Sequence, residues 1–198
     1  MKRYSFAKQA KITYVSVVAM MLISSLLILF LPSLTEDATK IIIGVSFLIM
    51  GIARALGYFS NDVYRLNFQF DFAVGIMNII LGILSLLLVT GIYRTLATGI
   101  GIYVILDCLL KVQTGIDAKY FGLKSWLGIL ISSAILTLIG VACVISHQIS
   151  DSSSRLFMGA ALFADSVQNI WITLYTVRVK DKKNSFIIDI KLAENEEE

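Results

Sequence analysis

Six apolar stretches recur along this chain as three odd–even pairs, with matching residues 57 or 58 positions apart. Gly44, Gly101 and Gly159 mark equivalent places in the second, fourth and sixth stretches, and Ser25, Gly82 and Gly140 in the first, third and fifth. The stretches cover residues 12–31, 41–59, 72–89, 95–112, 125–145 and 156–177. A helix rising 1.5 Å per residue needs about 20 residues to cross a hydrocarbon layer of about 30 Å. All six are therefore expected to cross a bilayer. None alternates apolar and polar residues as a transmembrane barrel strand does.

Composition points the same way. Of the 198 residues 57% are hydrophobic and 16% charged, with one proline. A soluble body of this size has too much surface to hide so much apolar material. The +3 net charge is spread over short segments between the apolar runs, without the clustered basic surface that nucleic acid requires. Cys108 and Cys143 both lie inside apolar runs and read as small buried hydrophobes, with neither a disulfide nor a metal site implied.

Orientation follows from the cations. If residues 1–11 lie inside, the inner segments hold 14 of the Lys and Arg residues and the outer ones only Lys40, Arg94 and Arg155. Such an excess marks the cytoplasmic side. The expected organisation is a cytoplasmic N-terminal segment (1–11), a six-helix domain (12–177) and a charged cytoplasmic tail (178–198). The first run follows Lys2, Arg3, Lys8 and Lys11 as a signal peptide would. Its apolar length exceeds the 7 to 15 residues typical of a signal, so it reads as a retained helix.

Each repeat holds two helices, so successive copies keep one orientation. The expected fold is all-α, a pseudo-threefold bundle of three helical hairpins related about the membrane normal. Small residues four apart (Ala53 and Gly57, Ala97 and Gly101, Gly128 and Ser132, Ala160 and Ala164) allow close helix approach where lipid offers no hydrophobic drive.

The costly residues are the polar ones at membrane depth. Six positions past the even-helix glycines stand Met50, Asp107 and Asp165, and ten past them Arg54, Lys111 and Asn169. Asp165 lies mid-helix with Gln168 on its face, a position that costs an Asp roughly 2.5–3.5 kcal/mol on insertion. It reads either as interhelical hydrogen-bond glue or as a proton or solute site. Asp107 and Lys111 suit an intrahelical pair, with Lys111 and Arg54 free to snorkel inward. Alternatively Arg54 reaches Asp107 or Asp165 across the bundle. Arg54, Asp107, Lys111, Asp165, Gln168 and Asn169 are thus the candidate intramembrane site. The even helices are expected to line the interior and the nearly uncharged odd ones to meet lipid. Asn78 is the exception, read as a packing hydrogen bond.

Catalysis finds no constellation: His147 is the only histidine and reads as a solvated loop residue, and no nucleophile triad, metal motif or phosphate loop is present. No enzyme activity, cofactor or metal is expected. The partners expected are membrane lipids, with self-association or other membrane proteins as further options.

Residues 44–52, the Asp62-Val63-Tyr64-Arg65 loop, Gly75, Gly82 and the tract 126–140 resemble the HdeD-type acid-resistance proteins, a bacterial short-repeat membrane family. The resemblance spans about residues 40–145, with a weaker third copy. Members often carry proline after the odd helices, and here only Pro32 does so. The resemblance implies a plasma-membrane protein tied to acid or envelope stress, without catalytic residues to transfer. The alternative reading is a small transporter or proton pathway built on the even-helix polar groups.

Overall fold

The computed structural model describes residues 2–31, 33–58, 71–120 and 126–176. All regular structure among them is helical: α1 (Lys2–Phe30), α2 (Glu36–Tyr58), α3 (Asp71–Leu87), α4 (Ile92–Tyr120), α5 (Trp126–Ser146) and α6 (Asp151–Thr176). The 61–67 loop and the tail 178–198 lie outside the described residues.

Local chemistry sets the starts of α2, α4 and α6. Thr35 Oγ1 accepts the Ala38 N–H at 3.2 Å, and Ser150 Oγ accepts the Ser153 N–H at 3.1 Å, so α2 and α6 start on hydroxyl caps. Glu36, Asp37 and Asp151 place negative charge in those first turns, where the helix dipole favours it. Gly91, at φ 60°, makes the left-handed turn that starts α4.

Among the described residues four helices are long and apolar enough by themselves to cross a membrane: Ile12–Phe30, Glu36–Leu56, Ile92–Tyr120 and Trp126–Ser146. By length and composition alone α3 and α6 fall short of the expectation that all six qualify. The apolar part of α3, Phe72–Leu87, is shorter. Polar residues dilute α6, but they turn inward: Asp165, Gln168 and Asn169 are buried while Leu156, Phe163, Val167 and Leu174 face out. The rim it shows to lipid is therefore apolar. The chain is a multi-pass membrane protein.

The tightest helix pairs are α2 with α3, α4 with α5, and α6 with α1. Glycines explain this. A Cβ on Gly44 would lie 2.6 Å from the Leu86 side chain and 3.1 Å from the Gly82 carbonyl; one on Gly101 would lie 2.8 Å from the Gly140 carbonyl. Gly159 meets Leu29 in the same way, at 2.8 Å. The sequence repeat runs odd then even, yet each even helix packs hardest on the odd helix that follows it. The last even helix closes the ring on the first odd one. Half of the apolar window is buried in α2 and in α4, against 28% in α1 and in α5, so these even helices sit deeper.

The main core runs between the even helices and around Tyr14, Val18, Phe47, Met50, Tyr103 and Val104. Phe47 and Tyr103 meet edge to face at 5.1 Å. A smaller cluster of Ala118, Ile129 and Ile172, with Trp126 and Trp171 against it, closes one end of the bundle.

Candidate intramembrane polar site

Directly against the core, α2, α4 and α6 each present ionisable or amide side chains within about one helical turn of the same depth. The repeat dictates this, since Arg54 and Lys111 are separated by one period and Asp107 and Asp165 by the next. Arg54 is 3% exposed, Asp107 2% and Asp165 1%.

All six residues singled out from sequence belong to one connected network. Arg54 donates from Nη1 to Asp107 Oδ1 at 3.0 Å and from Nη2 to Asn169 Oδ1 at 3.3 Å. Lys111 Nζ lies 2.6 Å from Asp107 Oδ2, 2.7 Å from Asp165 Oδ1 and 3.1 Å from Gln168 Oε1. An ammonium has three N–H bonds, and three oxygens surround this one. The Asp107 Oδ2 approach, made within one turn of α4, is an ion pair by distance but falls outside hydrogen-bond geometry. Asn169 donates to Asp165 Oδ2 at 2.9 Å, and Gln168 Nε2 donates to Ser132 Oγ at 2.9 Å and Ser133 Oγ at 3.0 Å.

Among the described residues two cations face two carboxylates, and pairing of this kind is the condition under which buried charge is tolerated. The pairing runs between helices, Arg54 of α2 to Asp107 of α4 and Lys111 of α4 to Asp165 of α6, so the even helices are laced together. Lys111 does not snorkel. Helix α4 continues nine residues past it to Tyr120, and its ammonium is turned into the bundle. Arg54 likewise takes the across-bundle option.

The sequence reading missed four participants. Tyr14 of α1 gives its ring to the Arg54 guanidinium, 5.8 Å from the centroid, and its hydroxyl donates to Asn169 Oδ1 at 3.4 Å. Tyr103 Oη accepts from Arg54 Nη2 at 3.5 Å, the outer limit of a hydrogen bond. Tyr103 stands four residues before Asp107 on one helix face, a spacing that signals the contact. Ser132 and Ser133 anchor Gln168 from α5. Tyr14 carries no such local signal, because its partner lies 155 residues away.

Two expectations are corrected. Asn78 is fully buried on α3, but neither its Nδ2 nor its Oδ1 has a hydrogen-bond partner. The packing hydrogen bond expected of it is not made. His147 is half-buried in the turn after α5, with Nδ1 2.6 Å from the Val144 carbonyl, instead of being a solvated loop residue. Cys108 and Cys143 are free and buried, and Cys143 Sγ reaches the Ala97 carbonyl at 3.2 Å. Among the described residues no three His, Cys, Asp or Glu side chains gather where they would hold a metal ion.

Chemically, this arrangement holds charge in place. Each cation is shared between groups on different helices, so no single pair can part without stranding another.

A family model for a short repeat of unknown function (DUF308) matches the chain twice, over residues 17–87 and 73–145. The two matches share α3 and together take in α1 through α5. The chain belongs to this family. No curated protein and no solved structure matches it.

Proposed function

We propose that this DUF308 member is a non-enzymatic, six-span protein of the bacterial plasma membrane, with both termini in the cytoplasm, serving tolerance of acid or envelope stress. One observation supports the non-enzymatic reading: the described ionisable groups buried within the bundle are engaged with one another in a single network. Such a network suits a device that keeps three helix pairs in register. The cation distribution, 14 against 3, supports the orientation. The likeness to HdeD-type proteins supports the stress role.

The test is survival after acid challenge of a strain lacking the chain, complemented by wild type or by Lys111→Met. Restoration by wild type alone supports the proposal. Equal survival with and without the gene overturns the stress role.

A second reading follows from the geometry at Lys111, whose ammonium bridges carboxylates on two helices at membrane depth. Two carboxylates sharing one cation are also the makings of a proton pathway through Arg54, Asp107, Lys111, Asp165, Gln168 and Asn169. Proteoliposomes under an imposed pH gradient separate the readings. Flux above empty liposomes that vanishes in Asp165→Asn makes the chain a transporter, and background flux in both removes the pathway.

A further inference from the structure

Helices α1 and α4 both pack closely on α6 but not on each other. Their ends therefore leave a gap at the face of the bundle where α1 finishes and α4 and α6 begin. The gap is a cavity of about 470 Å³, within the range of small-molecule sites.

Its lining divides by chemistry. Leu29 of α1 and Leu156 of α6 are apolar, while Asp151, Ser152 and Arg155, from the start of α6, are polar. Tyr93 of α4 completes it with a ring whose hydroxyl is already spent on the Leu34 carbonyl, at 3.0 Å. The division follows from the sequence. The apolar window of α1 ends at Phe30 and the apolar run of α6 begins at Leu156, so the two leucines mark the edge of the hydrocarbon layer. Leu156 is 57% exposed, so the cavity opens toward lipid on that side. Arg155 and Tyr93 then stand at headgroup level, where tyrosine and arginine side chains anchor a helix end.

Charge selects the occupant. The one carboxylate in the lining, Asp151, is held by Arg94, whose Nε lies 2.6 Å from its Oδ1. Arg155 lines the cavity itself. A guanidinium carries five N–H donors in a planar fork, so it can keep a protein neighbour and still grip two oxygens of a phosphate. Arg94, Asp151 and Arg155 together sum to one positive charge. At the same end Glu36, the Asp37–Lys40 pair and His147 stand outside the lining.

We infer that this cavity binds an anionic phospholipid of the adjoining leaflet, with its phosphate at Arg155 and the first carbons of its acyl chains against Leu29 and Leu156. Arg155 lies ten residues, about 15 Å, along α6 from Asp165, so the site stands whether the buried network proves structural or conducting.

The experiment uses the full chain, delipidated in detergent, and counts bound lipid by native mass spectrometry. Phosphatidylglycerol and phosphatidylcholine with identical acyl chains are titrated in, and the first phosphatidylglycerol is expected to bind at the lower concentration. Arg155→Gln should raise its dissociation constant about fivefold, the value of one cation near the interface, and leave phosphatidylcholine unchanged. Lys119→Gln, which removes an exposed cation from the other end of α4, should change neither. Ser152→Trp fills the cavity from an exposed position and keeps every charge; it should weaken binding of both lipids, with helical content unchanged. Equal affinity for the two lipids overturns the proposal, as does a loss in Lys119→Gln equal to that in Arg155→Gln. Unaltered binding in Ser152→Trp overturns it too. Glycerol 3-phosphate bound as tightly as phosphatidylglycerol, and lost in Arg155→Gln, assigns the cavity to a soluble phosphate and overturns the lipid.

Discussion

Replacing Lys111 by methionine keeps the length and apolar stem of the side chain but deletes the ammonium. Oxygens of Asp107, Asp165 and Gln168, at 2.6, 2.7 and 3.1 Å, lose the ammonium they surround. Arg54 still reaches Asp107 and Asn169 still reaches Asp165, but the network passes from neutral to one net negative charge. Removing one partner of a buried pair costs about 3–5 kcal/mol in soluble proteins. Interhelical hydrogen bonds in membranes contribute less, about 0.6 kcal/mol on average. The surviving Arg54 and Asn169 contacts and the milder membrane scale together argue for the low end, about 3 kcal/mol. Asp165→Asn alone leaves one net positive charge and should cost about 2 kcal/mol, because its amide keeps part of the bonding. The double variant restores neutrality, leaving an intact Arg54–Asp107 pair. Its cost should fall short of the sum of the singles by about 2 kcal/mol, the coupling of two groups in contact. Unfolding by dodecyl sulfate in mixed micelles, followed by circular dichroism, measures all four proteins. Stability of Lys111→Met within about 0.5 kcal/mol of wild type would refute the reasoning, as would a double variant whose loss is simply additive.

Asn78→Leu should stabilise the protein by about 1 kcal/mol in the same assay, because it removes a buried amide that has no partner. Met21 and Leu136 fill the repeat-equivalent positions with apolar side chains. Gly101→Leu should destabilise it by about 2 kcal/mol or more, since even its Cβ would sit 2.8 Å from the Gly140 carbonyl and 2.7 Å from Val144. A wild-type unfolding midpoint would show that α4 and α5 can part freely. Arg94→Ala, by contrast, breaks an ion pair to Asp151 whose members are 52% and 56% exposed, and should shift stability by less than about 0.5 kcal/mol.

Much of the site was legible because the repeat carries depth. Equal offsets from Gly44, Gly101 and Gly159 place Arg54, Lys111 and Asn169 on one level and Asp107 and Asp165 on another. Helical spacing then adds the face, as with Gln168. A period says nothing of which helices stand side by side around the axis, and that ordering decided the rest. The α6–α1 pair, and with it Tyr14 beside Arg54 and Asn169, is a contact between opposite ends of the chain with no local signature. Asn78 was misread for a related reason. Its depth and burial are ordinary for a packing amide, and only the side chains around it show that no partner is supplied. The length of α4 was also underread. Residues 113–120 are too polar to signal a membrane span, yet they continue the helix, and that continuation holds Lys111 inside the bundle instead of at its edge.

The closure of the ring by α6 on α1 has a consequence for biogenesis. During synthesis the helices enter the bilayer in chain order, so α1 packs first on α2 and meets α6, its tighter neighbour, only when that helix emerges. Over that interval the Lys111 ammonium has Asp107 beside it but neither Asp165 nor Gln168. Arrival of α6 brings Asp165 and Gln168 to that ammonium, and the same helix brings the backbone that seats α1. The last described helix therefore completes two things at once, the closest packing surface of α1 and the acidic partner of Lys111.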